Sequence, residues 1–183
     1  MSTFPDHPFW TFSTGLYGRD GVAAACLSLQ ERHQLDVNIL LFCIWSAAER
    51  GRALSREEMA GVLERVGAWH EEVVRRLRAV RQRMKEGAPG MEEALVEAVR
   101  KRVLGAELEC EHVEQLMLAG PVSPEMGDAE RGSPDTALHN IARYYAAAGY
   151  GANDGDARDI AALLAPLFPD IEAGGVARAL GVA

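Results

Sequence analysis

Positive charge is in short supply in this chain. It has 19 lysines and arginines against 27 aspartates and glutamates, a formal net charge of −8. That balance excludes general affinity for nucleic acid or anionic membranes. Cysteine is scarce too: Cys26, Cys43 and Cys110 have no pair spacing, and two lie in very apolar runs. They read as small buried hydrophobes in a reducing, cytoplasmic compartment. No long hydrophobic run exists. The longest, Ile39 to Trp45, falls far short of the ~20 residues that span a bilayer. The N-terminus lacks the basic and apolar regions of a signal peptide. Alternating strand patterns, internal repeats and low-complexity tracts are missing, as are Gly-x-Gly-x-x-Gly, P-loop, Gly-x-Ser-x-Gly, Cys-x-x-Cys and His-Glu-x-x-His motifs. No catalytic residue, metal ligand or cofactor is assigned.

What is present fits a folded domain. The 183 residues are 48 % hydrophobic and 25 % charged, enough to bury a core without metals or disulfides. Residues 1–19 carry Phe4, Phe9, Trp10, Phe12, Leu16 and Tyr17, too aromatic for a free tail. They read as a packed arm, helical from about Phe9 to Leu16. Asp20 is a candidate N-cap for a helix to about His33, and Asp36 for one to about Arg50. From Ile39 to Ala48 only Ser46 is polar; a helix apolar all round belongs at the centre of a fold. Gly51 ends it.

Ser55-Arg-Glu-Glu58 is a capping box. Behind it Met59, Val62, Val66, Trp69, Val73, Leu77, Val80 and Met84 recur every three or four residues, predicting one helix from Arg56 to Glu86. Gly87-Ala-Pro-Gly90 is a tight loop. A second long helix, Met91 to Leu118, has its stripe at Met91, Leu95, Val99, Val103, Ala106, Cys110, Val113 and Met117. Two such helices make an antiparallel hairpin. Residues 119–132 read as a loop. Ser133-Pro134 starts a helix to about Ala148, and two short helices follow, Asp156 to Leu164 and Asp170 to Leu180. The expected fold is all-α, a compact single-domain helical bundle of about seven helices over 1–183. Its parts are an arm (1–19), a buried helix pair (20–50), a long hairpin (55–118) and short C-terminal helices (133–183).

Phe9-Trp10-x-Phe12-Ser13, Tyr17, Gly21-Val22, Cys26-Leu27-x-Leu29-Gln30 and Asp36-Val37-Asn38-x-Leu40-Leu41-Phe42 together resemble a family of small proteobacterial proteins with no established activity. The resemblance is specific over 9–45 and weaker through 69–115, where Trp69, Leu77-Arg78 and Glu107-Leu108-Glu109-x-Glu111 fit. A proline expected before Leu77 is replaced by Arg76. The resemblance implies a helical bacterial cytoplasmic protein and assigns no site residue.

Four features carry chemistry. Asn153-Asp154-Gly155-Asp156 hints at calcium but reads as a turn and helix cap. Glu109-x-x-His112 has di-iron spacing, yet only one such motif exists, and it reads as a solvated face. His70, beside Trp69, lies level with Glu107 if the hairpin is centred near 88–89; the two form a structural contact, make no contact, or act as a general acid and base. Gln30, Asp36 and Asn38 either cap a helix junction or line a small pocket. The same register gathers Arg75, Arg76 and Arg78 beside Arg100, Lys101 and Arg102. This belt suggests a non-catalytic adaptor that docks an acidic protein partner. The alternative is a helical enzyme or small-ligand-binding protein, with a small anionic ligand among the possibilities and a pocket near Gln30, Asn38, His70 and Glu107.

Overall fold

The computed structural model describes residues 5–120 and 132–182. It is an all-α bundle, without strands among those residues. Helices α1 (Pro8–Tyr17), α2 (Val22–His33) and α3 (Val37–Ala48) come first. A continuous rod follows, made of α4 (Arg56–Trp69), a π-helical segment (His70–Val74), α5 (Arg75–Arg83) and a closing 3-10 turn (Met84–Glu86). Then come α6 (Glu93–Ala119), α7 (Pro134–Ala148), α8 (Asp154–Leu164) and α9 (Ala173–Leu180). Counting the rod once gives eight helices among the described residues, within one of expectation. Most of the 119–132 loop, and Phe4, lie outside the described residues.

Helix α3 is the axis of the fold. Every residue from Asn38 to Ala47 is buried. Phe9 of α1 is fully buried against it, with ring centroids 5.7 Å from Phe42 and 5.2 Å from Trp45. Helix α7 covers another side with Ile141 and Tyr144, and α8 contributes Ile160, Leu163 and Leu164. Asn140 joins the layers: its amide nitrogen donates to the Cys43 and Arg52 carbonyls, and its oxygen accepts from Leu54 N. At the other end Asp156, fully buried, accepts from Arg32 and His33 at the end of α2.

Local signals mostly hold. Asp36 caps α3, accepting from Asn38 N at 2.8 Å. Ser55 and Glu58 form the capping box, and Ser133 caps α7 with Pro134 at its first position. Asn153 caps α8 in a second capping box with Asp156, so the calcium-like turn is a helix cap. Asp20 does not cap α2. Gly21, at φ 80°, holds that position, because the tight Arg19–Val22 turn needs a left-handed residue.

The hairpin departs from expectation in two ways. First, the rod's buried row is Met59, Val62, Val66, His70 and Val74, not Val73 and Val80. A π turn bonds i to i+5, seen as Arg75 N–H to the His70 carbonyl. It holds more residues per turn, so successive i+4 positions stay on one face. Second, α6 is rotated. Met91, Leu95 and Val99 are exposed, whereas Glu107, His112, Glu114, Gln115 and Leu118 are buried. The packed face carries charges neutralised across the hairpin, which an apolar period cannot reveal.

Candidate functional site

Helix α6 lays a polar row against the rod, α1 and α3. Ser13 Oγ donates to Gln115 Oε1 at 2.7 Å. Gln115 Nε2 donates to Asn38 Oδ1 at 2.8 Å, and Asn38 Nδ2 donates to Glu114 Oε2 at 2.7 Å. The other Glu114 oxygen, Oε1, lies 3.1 Å from His70 Nδ1. That nitrogen is also 3.1 Å from Asp36 Oδ2. The Tyr144 hydroxyl fixes the Asp36 backbone, accepting from its N–H at 2.9 Å and donating to its carbonyl. All six side chains of this chain of contacts are buried. Buried polar networks cost stability unless nearly every member is paired.

Two carboxylates and an imidazole share this space. Burial pushes the Asp36 carboxyl up to about 8, with the neighbouring Glu114 charge adding to it. Burial alone would lower His70, but its hydrogen bond to Glu114 and the Asp36 charge leave it raised overall. One atom stands apart: Asp36 Oδ2 is buried and has no hydrogen-bond partner, since its approach to His70 lacks hydrogen-bond geometry. Ligand atoms of Asp36, His70 and Glu114 all lie within 4.8 Å of one another.

One and two turns along α6, a second cluster closes the hairpin. Arg78 donates to Glu107 at 3.0 Å, to Gln30 at 2.8 Å and to Glu111. Arg81 forks onto both Glu107 oxygens. Burial would raise the Glu107 carboxyl; Arg81 and Arg78 overcome that and hold it below the usual range. Beside these clusters lie two clefts. One, of about 380 Å³, is bordered by Asp36, Asn38, Arg78, Glu107 and Gln115 among others. The other, of about 200 Å³, is lined by Gln30, Gln34, His70, Arg75, Arg78 and Gln82, with Leu35 and Ala79.

The expected pocket residues are split between the two clefts and differently paired: Gln30 and His70 line the smaller, and Gln30, Asn38 and Glu107 border the larger. His70 meets Glu114 and Asp36 rather than Glu107, a register shift of seven residues, or about two turns. The basic belt is not one free surface. Arg78 is half-buried between two glutamates, Arg75 pairs with Glu71 at 2.7 Å, and Arg100 pairs with Glu97 at 2.6 Å. With Arg78 opposite Glu107, Arg100 to Arg102 sit nearer the hairpin loop, not at its height. Arg76, Lys101 and Arg102 are exposed. His112 is not on a solvated face; its ring stacks on Trp10, centroids 3.9 Å apart and planes 4° from parallel.

Sequence reasoning gave no site role to Glu114, Gln115 and Ser13, and placed Asp36 as a cap or pocket residue rather than as a partner of His70. The available signal was the shared edge of Glu107, Glu111 and Glu114 on α6. No helix among the described residues is long and apolar enough to cross a membrane. No curated protein and no solved structure matches the chain. A family model described as a protein of unknown function (DUF2390) matches residues 8–118, from α1 to the end of the buried row on α6. Every member of the Ser13–Gln115–Asn38–Glu114–His70–Asp36 row falls within that match, and the chain belongs to this family.

Proposed function

We propose that this is a bacterial cytoplasmic small-ligand-binding protein that takes a small anionic ligand in the cleft beside His70. The observation that carries the reading is the lining of that cleft. His70, Arg75 and Arg78 supply positive charge or ring N–H donors, and Gln30, Gln34 and Gln82 supply amides, around about 200 Å³. Such a mix of convergent polar groups over an apolar floor suits a carboxylate or phosphate ligand. The unpaired cysteines fit a reducing compartment.

A panel of small carboxylates and phosphates, screened by thermal melting, tests this. A binder raises the melting temperature, the more so the further its concentration exceeds its dissociation constant. A ligand that stabilises the wild type, but shifts Arg75→Gln and Gln82→Leu much less, supports the cleft. Equal shifts in all three proteins, or none with any compound, count against it.

The adaptor reading keeps one observation in its favour. Leu95 and Val99 are exposed apolar residues on α6, with exposed Met91 in the loop before it and exposed Arg102 one turn beyond Val99. An acidic amphipathic segment of a partner protein is the occupant that this pairing of apolar residues and positive charge would suit. Salt-sensitive capture of such a partner by wild type, lost in Leu95→Glu with Arg102→Glu, would support it; capture unaffected by both changes would remove it.

A further inference from the structure

We propose that Asp36, His70 and Glu114 form a binding site for one divalent transition-metal ion of the zinc class. The inference goes beyond the anionic-ligand reading and does not depend on it.

The geometry is that of three ligands held ready. Each carboxylate has one oxygen tied off by the same residue. Asp36 Oδ1 accepts from Asn38 N, and Glu114 Oε2 accepts from Asn38 Nδ2. The remaining oxygens, Oδ2 and Oε1, both converge on His70 Nδ1 at 3.1 Å. Bonds of about 2.0–2.2 Å from a metal to nitrogen and oxygen place neighbouring ligands about 3 Å apart. The two separations to His70, 3.1 Å each, are close to that edge, and the two carboxylate oxygens lie within 4.8 Å of each other. Ligands come from three elements, the α3 cap, the first π-helical residue and α6, so the site is closed by tertiary packing. Asn38 is in turn held by Gln115, and Gln115 by Ser13, the outer support that metal ligands commonly have.

A second observation is an acceptor left open inside the cluster. The Nδ1 of His70 carries at most one hydrogen. It can serve Glu114 or Asp36, not both with good geometry. In the structure it serves Glu114, and Asp36 Oδ2 is left buried with no hydrogen-bond partner. Such an orphaned acceptor costs about 1–3 kcal/mol. A divalent cation would satisfy both oxygens and the ring nitrogen together. Once bound, with both carboxyls deprotonated and His70 neutral, it would also balance their charges in a place where net charge is disfavoured.

One imidazole and two carboxylates suit zinc, or manganese and ferrous iron. Calcium would need six to eight oxygens, and magnesium a largely hydrated shell. Asp36 borders the larger cleft and His70 the smaller, so both clefts adjoin the site.

The test uses the full chain, treated with chelator and then titrated with Zn²⁺ alone by calorimetry, with metal content measured by mass spectrometry. One equivalent per chain and a raised melting temperature are expected. Co²⁺ in place of Zn²⁺ should give visible absorption of a nitrogen–oxygen site. Asp36→Asn and His70→Gln should each weaken binding by about 100-fold or more, and Asn38→Ser, an outer-support change, by about 10-fold. Asp36→Asn replaces the buried carboxyl with a neutral group of the same shape and should stay folded, which circular dichroism checks. If His70→Gln fails to fold, the Asp36→Asn titration and the wild-type cobalt spectrum still decide. No stoichiometric uptake by wild type, or uptake unchanged in Asp36→Asn, would overturn the proposal.

Discussion

At the residue scale, Asp36 carries the clearest consequence. With its carboxyl raised to about 8, the folded chain keeps a proton that the unfolded chain releases near 3.8. The folded state binds more protons in that window, so stability falls as pH rises from about 4 toward 8. His70 acts in the same direction. Its folded value is raised, so its contribution is full below its ordinary 6.5 and is lost as pH rises through the folded value. The metal-free protein should therefore melt at a lower temperature at pH 9 than at pH 6, and Asp36→Asn should flatten that decline. A melting temperature equal at both pH values, or a decline as steep in the variant, would show that these carboxyls are solvated. Asn140 is a second single-residue lever. Its removal in Asn140→Ala strands Leu54 N and two carbonyls; a loss of about 2–3 kcal/mol in urea melts is expected.

At the scale of elements, the hairpin is held by charge in its outer half and by apolar packing near the body. Leu95 is 59 % exposed, so Leu95→Ala should change stability by no more than about 0.5 kcal/mol. Glu107→Ala leaves Arg78 and Arg81, only 20 % and 16 % exposed, without their shared partner. It should cost more than Leu95→Ala, about 1–3 kcal/mol, by the same urea measurement. An apolar stripe reading of α6 expects the opposite order. Val103 and Leu77 are half-buried, so truncating either should fall below the ~2–5 kcal/mol of a fully buried leucine.

Across the whole molecule, α3 decides whether the chain folds. Leu41 is 3 % exposed within a helix buried along its length. Leu41→Asp places a carboxylate there with no partner and should abolish soluble expression. Phe9→Ala tests how firmly α1 is docked. It should lose about 3–5 kcal/mol; a loss under about 1 kcal/mol would mean that the arm is only loosely attached.

Much of this was legible without coordinates. The all-round apolarity of 39–48 put α3 at the centre because no orientation of that helix hides less than all of it. Ser55-Arg-Glu-Glu58, Ser133-Pro134 and Asp36 marked helix starts because capping is settled within four residues. The long rod, the loop at 87–90 and the second long helix followed from period and punctuation. Tertiary structure alone decided how the two long helices meet. Their register pairs His70 with Glu114 rather than Glu107, and a π turn, invisible to a 3.6-residue period, keeps His70 and Val74 on the buried face. The rotation of α6 was equally out of reach, since Arg78 and Arg81 neutralise glutamates that hydropathy assigns to solvent. Capping and amphipathicity are sums over neighbours in sequence. Register and charge pairing are fixed by residues some 26 to 78 positions apart, as Arg81 is from Glu107 and Asp36 from Glu114, and only the folded chain brings those together.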